Sequence, residues 1–177
     1  FLVVSIVASQ LSERARRKAQ EAIEQRQETE RLYTLSRMIL MLSGRSESVA
    51  GEIARQIQQV FEATSVTLFH RESGQVFHAG SMPVPLSDGD LREIALQGNV
   101  VENAGTAFVA LPVSLGGKTV GSLGILGASL SDGARQAVAN LIAIALEAAR
   151  SREVASEAAL ARQSEEFKST LLDALAH

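Results

Sequence analysis

Residues 108–126 have the sequence FVALPVSLGGKTVGSLGIL. Two strongly apolar runs, 108–115 and 119–126, are separated by the pair Gly116-Gly117. Adjacent glycines are typical of the tight turn between two antiparallel strands, because glycine readily adopts the positive φ angles that such a turn needs. The stretch therefore predicts a β-hairpin that forms part of an antiparallel sheet.

A second hairpin is predicted upstream of the first. Residues 66–70 and 76–79 alternate with a period of two on either side of Ser73-Gly74, as expected for two strands and a turn. Further along, Ser87 and Asp90 have the spacing of a capping box, which predicts the start of a short helix that ends at Gly98.

Long helices are predicted on both sides of these strands. Residues 10–42 contain no glycine or proline and would form a helix of about 50 Å. A second helix is predicted at 47–62, and a final helix begins at Ser131-Asp132 and meets no breaker before His177. The expected fold class is α+β: an antiparallel sheet of about five or six strands, packed with helices and flanked by long, coiled-coil-like N- and C-terminal helices.

Apolar residues in the two long helices have the spacing of a coiled-coil seam. They recur at intervals of three and four near the end of the first helix and are sparser near the end of the last one. The predicted dimer seam comprises Leu32, Leu35, Ile39, Leu42, Leu160, Phe167 and Leu171. A parallel homodimer is expected, in which both copies of each long helix are brought together.

The N-terminus is apolar over residues 1–8 and basic over residues 14–18. Eight residues are too few to cross a bilayer, which takes about 20, and no basic segment precedes them as it would in a signal peptide. We interpret residues 1–9 as the end of a truncated transmembrane helix, with the basic cluster on the cytoplasmic side of a bacterial inner membrane. A buried helix tip is the alternative interpretation.

Composition argues against several classes of function. The net charge of −3 and the 4% content of aromatic residues do not fit a nucleic-acid-binding surface. Cysteine is absent, which excludes a disulfide, a thiolate metal site and a cysteine nucleophile. His70 and His78 could face one another across the upstream hairpin, but two histidines without a third ligand make a poor metal site. No metal is predicted.

The sequence leaves open whether a small molecule binds between the sheet and residues 82–104. Phe77, Phe108 and Leu111 would form part of the wall of such a pocket. The alternative is a filled hydrophobic core. The glycines between 116 and 127 do not form a phosphate-binding loop, because they lie in a hairpin and not between a strand and a helix N-terminus.

Three segments of the chain resemble parts of a GAF domain. They are Ala110-Leu111-Pro112-Val113, the glycine-rich hairpin at 116–125, and a helix that ends Ala145-Leu146-Glu147-Ala148-Ala149-Arg150. The resemblance covers about residues 46–150 and implies a GAF-like domain at 44–150. The sulfoxide reductases among GAF proteins need cysteine, and the N-K-x-x-F-D-E pattern of cyclic-nucleotide binding is missing here, so the resemblance says little about a ligand.

The flanks of this region resemble a sensor histidine kinase. Residues 31–37, with the sequence RLYTLSR, are similar to the entry into the GAF domain of potassium-sensing, Kdp-type kinases. Residues 167–177 are similar to the segment that leads into the phosphoacceptor box of sensor kinases. His177 would then be the phosphoacceptor, on a polar helix face shared with Thr170 and Asp173. A surface histidine at a helix end is the alternative.

The resemblance implies a linker helix at 10–43 and a signalling helix at 151–177. The chain would be the cytoplasmic sensory and signal-relay region of a two-component sensor histidine kinase, coupling a membrane or ligand signal through a dimeric GAF domain to the helix that carries His177. The fragment itself would hold no cofactor and no kinase activity, whereas the parent protein would use ATP and Mg and phosphorylate a response regulator. The alternative is a non-enzymatic GAF dimerisation or small-molecule-sensing module of another membrane signalling protein.

Overall fold

The computed structural model describes residues 2–42 and 46–176 of the chain. The fold is α+β with a five-stranded antiparallel sheet, which confirms the predicted class. Its elements in chain order are α1 (Leu2–Leu40), α2 (Ser46–Val60), β1 (Ser65–His70), β2 (Gln75–Gly80), α3 (Asp88–Gln97), β3 (Val101–Asn103), a 3-10 turn (Ala104–Thr106), β4 (Phe108–Leu115), β5 (Lys118–Leu126) and α4 (Asp132–Ala176).

The strands are arranged in the order β2-β1-β5-β4-β3. Leu68 of β1 lies opposite Leu123 of β5, and Leu123 lies opposite Leu111 of β4, so the three central strands are in register at one apolar row. Gly116 and Gly117 have φ angles of 58° and 81°, the positive values that the predicted tight turn requires. The hairpin predicted from the glycine pair is therefore confirmed.

Both faces of the sheet are covered by helices. Along β4, Val109, Leu111 and Val113 belong to the large hydrophobic cluster shared with α2 and α4, whereas Phe108 and Ala110 belong to a cluster on the side of α3. This alternation follows from the period of two along a strand. The sheet is thus the middle layer of the protein, with α2 and α4 on one side and α3 on the other.

The apolar stripe near the end of α1 packs inside the protomer. Leu35 and Ile39 are buried in the large hydrophobic cluster, and Leu32 and Leu42 pack against it while half-buried. A side chain buried in its own protomer cannot meet a second copy, so Leu35 and Ile39 are corrected as members of the predicted dimer seam, whereas for Leu32 and Leu42 the seam stays a prediction. The spacing of three and four residues identifies an apolar helix face, but it does not distinguish an intramolecular partner from an intermolecular one.

Helices α1 and α4 lie side by side and run in the same direction. Glu28 of α1 contacts Ser131 at the start of α4, and Arg152 of α4 contacts Leu42 beyond the end of α1. The contact positions increase along both helices, which requires a parallel arrangement. Consequently, about 40 Å of α1 and about 35 Å of α4 extend beyond the paired region, toward opposite ends of the domain.

Residues 13–27 of α1, which precede the paired region, are exposed and highly charged. Arg17 pairs with Glu13 at 3.5 Å, and Arg26 pairs with Glu30 at 3.2 Å, both one helical turn apart. None of the helices in the described part of the chain combines the length and the apolar character needed to cross a membrane.

The central apolar row predicts a large stability effect at Leu68. Leu68→Ala should lower the free energy of unfolding by about 2–5 kcal/mol, because it leaves a cavity between the sheet and its helices. Leu96→Ala, at an exposed position on α3, should change it by less than about 0.5 kcal/mol. Urea unfolding of the two variants checks this expectation, and equal losses would contradict the layered core.

Candidate functional site

The three predicted pocket residues do not share one wall. Leu111 belongs to the cluster under α2 and α4, and Phe77 packs against the same cluster. Phe108 lies on the opposite face of the sheet, beside Val84 and Ile94. Residues 108 and 111 are separated by an odd number of positions on one strand, so their side chains point to opposite faces. The predicted common pocket of Phe77, Phe108 and Leu111 is therefore corrected.

The space between the sheet and α3 is filled by side chains around Gly124. A Cβ atom at this glycine would lie 3.7 Å from both Leu91 Cδ2 and Val84 Cγ2, and 3.8 Å from Phe108 Cε2. The Ser122 hydroxyl also donates a buried 2.7 Å hydrogen bond to the Leu91 carbonyl, which holds α3 against β5. Of the two alternatives left open by the sequence, the filled core describes this region.

The two strand histidines do not face one another. His78 lies opposite Thr67, and the two side chains are joined by a 3.0 Å hydrogen bond. His70 lies opposite Gln75, is buried, and has its Nδ1 atom 3.0 Å from the Ser73 hydroxyl. Within residues 2–42 and 46–176, no group of three histidine, aspartate or glutamate side chains is placed to hold a metal ion.

Two polar contacts join the entry helix α1 to the exit helix α4. The Glu28 carboxylate accepts hydrogen bonds from the backbone N–H and the hydroxyl of Ser131, at 2.8 and 2.7 Å. The Ser131 hydroxyl also accepts a hydrogen bond from the Ala134 N–H, so Glu28 binds the residue that caps the N-terminus of α4. About 20 residues later, Arg152 donates to the Leu42 carbonyl at 3.1 Å. These contacts set the position of one helix along the other.

A third polar contact joins the exit helix to the sheet. Arg150 pairs with Glu72 in the β1–β2 turn at 2.9 Å, and with Glu147 on its own helix at 3.8 Å. Ala149 is the last fully buried residue of α4 among those whose side chains are described. The ion pair between Arg150 and Glu72 therefore lies where α4 leaves the body of the domain.

A cavity of about 290 Å³ adjoins this ion pair. It lies between the β1–β2 turn, the β4–β5 hairpin and α4. Its lining combines charged groups at the opening with the buried side chains of His70 and Leu146. The volume is at the lower end of the range for small-molecule sites.

A fourth polar contact lies at the other end of α4. Arg135, which is largely buried, donates to both carboxylate oxygens of Glu102 on the edge strand β3, at 2.7 and 2.9 Å. These hydrogen bonds hold the pKa of Glu102 below its ordinary value and raise the pKa of Arg135. The first turn of α4 is thus tied to one edge of the sheet.

The residues that form these contacts are not the ones that the sequence singled out. Glu28, Glu72 and Arg152 stand in helices and turns among many other charged residues, with no motif that marks them. Arg150 ends the segment that resembles a GAF exit helix, but the segment does not indicate its partner. Their partners are distant in sequence: Glu28 and Ser131 are separated by 103 positions, and Leu42 and Arg152 by 110. No local pattern could have identified such pairs.

The late part of α4 carries the other predicted site residues. Leu160 is 63% exposed and Phe167 is 65% exposed, with no cover from the body of the domain. The helix continues to Ala176. The proposed phosphoacceptor His177 lies outside the described residues, and its role stays a prediction.

Comparison with known proteins relates the chain to solved GAF domains. The sequence matches no protein-family model and no curated protein. Similar structures include the GAF domain of an Acinetobacter phosphoenolpyruvate-protein phosphotransferase, with 13% identity and a TM-score of 0.52 over 70% of this chain and 94% of that one. The GAF domain of the Escherichia coli potassium sensor histidine kinase KdpD has 23% identity and a TM-score of 0.50, over 71% and 96%.

A third similar structure is the GAF domain of a putative sensor histidine kinase from Pseudomonas syringae pv. tomato. It has 16% identity and a TM-score of 0.50, over 81% of this chain and 97% of that one. At these levels of identity the similarity shows the GAF fold and carries no information on ligand or activity. The chain therefore contains a GAF fold with a long helix on each side of it.

The contact between Arg135 and Glu102 predicts a pH-dependent stability. The pKa of Glu102 is lower in the folded protein than its ordinary value of 4.5, so the pair stabilises the fold fully above that value and is lost as pH falls through the folded pKa. Glu102→Gln should lower the Tm by a few degrees at pH 7, and its difference from the wild type should shrink below pH 4.5.

Thermal unfolding followed by circular dichroism between pH 3 and pH 7 measures this difference. Arg135→Gln removes the other partner, and in the Arg135→Gln background the Glu102→Gln change should have little further effect. A Tm difference that stays constant across this pH range would contradict the assignment.

Proposed function

We propose that this chain is the sensory and signal-relay region of a two-component sensor histidine kinase. The observation that carries the proposal is the parallel packing of α1 and α4 across the GAF fold. A displacement that enters along α1 has a defined exit along α4, because Glu28 and Arg152 connect the two helices at two levels. The free ends of the helices extend to opposite sides of the domain, as a relay between an input and an output requires.

The relay combines a rigid contact with adjustable ones. Leu35 and Ile39 are buried in the same cluster as Val138 and Ile142 of α4, so α1 cannot move without disturbing that core. The polar contacts at Ser131 and Leu42 are at the surface and are individually weak. A small shift or rotation of α1 would therefore lose little free energy at the polar contacts, and the packed core would have to adjust with it and so pass the movement on to α4.

Exposed apolar residues on both helices support a homodimer. Tyr33 and Leu40 are exposed on α1, seven residues apart and about 140–160° from buried Leu35. Ile144 is exposed on α4, about 160° from buried Ile142. Both sets lie on the sides of their helices that face away from the core, and a second copy of the chain would cover them in place of buried Leu35 and Ile39. Leu160 and Phe167 lie within about 20° of buried Ile142, so they continue the core-facing side of α4 beyond the body of the domain and form a separate exposed apolar stripe.

The proposed output is a histidine phosphotransfer step in a longer parent protein. His177 would accept the γ-phosphoryl group of ATP, with Mg and a kinase domain supplied by the parent, and would pass it to a response regulator. The neutral imidazole of histidine is a suitable nucleophile for this transfer near neutral pH. On the input side, residues 1–9 would be the end of a transmembrane helix in a bacterial inner membrane, and the domain would lie on the cytoplasmic side.

One observation favours a second candidate, a small-molecule-sensing module of another membrane signalling protein. The cavity beside Arg150 and Glu72 lies at the point where α4 leaves the domain. A ligand bound there would act on the exit helix directly and would need neither a kinase nor His177.

Autophosphorylation of a chain extended through its native C-terminal region tests the kinase assignment. With ATP and Mg, acid-labile label should appear in the wild type and be lost in His177→Gln, because phosphohistidine is the expected product. His78→Gln is the matched control: this residue is exposed on β2, and its variant should keep the label. Label that persists in His177→Gln, or no label with a folded ATP-binding domain present, would contradict the proposal.

Sedimentation velocity of the 177-residue chain tests the dimer surface. Ile144→Glu should weaken dimerisation at least about tenfold, because it places a carboxylate in an apolar interface. Leu96→Glu introduces the same charge at an exposed leucine on α3 and should leave the dimer intact. A wild type that stays monomeric at high micromolar concentration, or an Ile144→Glu variant that dimerises like the wild type, would contradict this surface.

A further inference from the structure

The cavity beside the Arg150–Glu72 ion pair has a distinct charge pattern. Its lining includes the cationic side chains of Arg71, Lys118 and Arg150 and the carboxylates of Glu72 and Glu147. It is therefore a locally cationic site on a chain whose net charge is −3. A cationic cavity in an acidic protein attracts small anions and concentrates them at this one point.

Two of the three cations have no carboxylate partner in the described part of the chain. The guanidinium of Arg71 donates to the Thr119 carbonyl at 3.3 Å, a bond that uses one of its five N–H donors. Lys118 is exposed at the start of β5 and forms no ion pair with any described residue. Both side chains are therefore available to an anion without breaking an existing ion pair.

The third cation belongs to the exit helix. Arg150 is held by Glu72 at 2.9 Å. Both residues also line a neighbouring cavity of about 250 Å³, in which Glu153 and Glu157 add two further carboxylates. Cationic side chains therefore outnumber carboxylates in the first cavity, and carboxylates outnumber arginine and lysine in the second, which favours the first cavity for an anion. Its acidic group would compete with the Glu72 carboxylate for the Arg150 guanidinium.

We infer that the cationic cavity is a binding site for a small organic or inorganic anion that carries a carboxylate or phosphate group. The acidic group lies between Lys118 and Arg71 and displaces Glu72 from Arg150, while the remainder of the ligand contacts Leu146 and Val120. Displacement of Glu72 releases α4 from the β1–β2 turn at the point where the helix leaves the domain. This consequence rests on the relay proposed above, whereas the binding itself does not.

The site differs in position from the filled space under α3. That region is closed by Val84, Leu91 and Phe108 around Gly124, on the opposite face of the sheet from α4. The cationic cavity lies against α4 itself, so a ligand contacts the signalling helix without any intermediate element. The charged residues that define it come from a turn, a hairpin and a helix that only the fold brings together.

Isothermal titration of the 177-residue chain with inorganic phosphate and with succinate, at constant ionic strength, tests the inference. At least one of the two anions should bind saturably, with a Kd in the millimolar range or below. Lys118→Gln should weaken this binding at least about fivefold. Lys168→Gln removes a positive charge from the exposed end of α4 and should leave the Kd unchanged.

Glu72→Gln should change the affinity for the anion in the opposite direction. This variant removes the carboxylate that competes for Arg150, so the anion should bind at least about threefold more tightly than to the wild type. Saturation by phosphate alone or by succinate alone supports the site and identifies which acidic group it prefers. The inference is overturned if neither anion saturates, or if Lys118→Gln and Lys168→Gln bind equally well.

The titration separates this inference from the proposed function. Lys118 is exposed in a hairpin, so its replacement does not disturb the core, and the measurement requires neither dimerisation nor phosphorylation. A chain that dimerises and supports labelling of His177 but binds neither anion would retain the relay and lose the site. If the anion binds but does not change labelling of His177, the binding site is retained and its effect on the exit helix is lost.

Discussion

The apolar character of both faces of the sheet is the constraint on which the rest of the structure depends. Strand β1 is buried along its whole length, and β4 sends side chains alternately to both sides. A sheet of this kind is stable only when helices cover both faces. Helix α3 covers one face and α2 with α4 the other, and the remaining apolar face of this helical layer is covered by Leu35 and Ile39 of α1.

This arrangement explains why two long helices run through one small domain. Each has a short apolar segment buried in the core and a longer charged segment that is largely exposed, over residues 13–27 of α1 and 151–168 of α4. Burial of one leucine contributes about 1.5–3 kcal/mol, whereas an exposed polar contact contributes about 0–1 kcal/mol. Packing therefore holds α1 and α4 in the domain, and the surface contacts of Glu28 and Arg152 are the weaker part of the connection. In the proposed relay, these weaker contacts are the ones that a signal would exchange.

Much of the fold could be predicted because its signals are local. The glycine pair at 116–117, the capping box at Ser87 and Asp90, and the alternation around Ser73-Gly74 each act within a few residues, and all three elements are present in the structure. The candidate site could not be predicted in the same way. The odd separation of Phe108 and Leu111 within one predicted strand already places their side chains on opposite faces. The position of Phe77 beside the cluster of Leu111 depends on how the strands pair and the helices pack, which the sequence does not specify.

The sequence by itself determined the elements, their order and the apolar faces, since periodicity and turn chemistry depend on neighbours along the chain. The tertiary structure alone decided what those faces meet. It directed the stripe at Leu35 and Ile39 into the protomer, although its spacing would also suit a coiled coil. It also brought Arg150 to Glu72, and Arg71 and Lys118 to the lining of one cavity. The physical reason is that a charged or apolar side chain specifies the kind of partner it needs, whereas the path of the backbone specifies which partner is within reach.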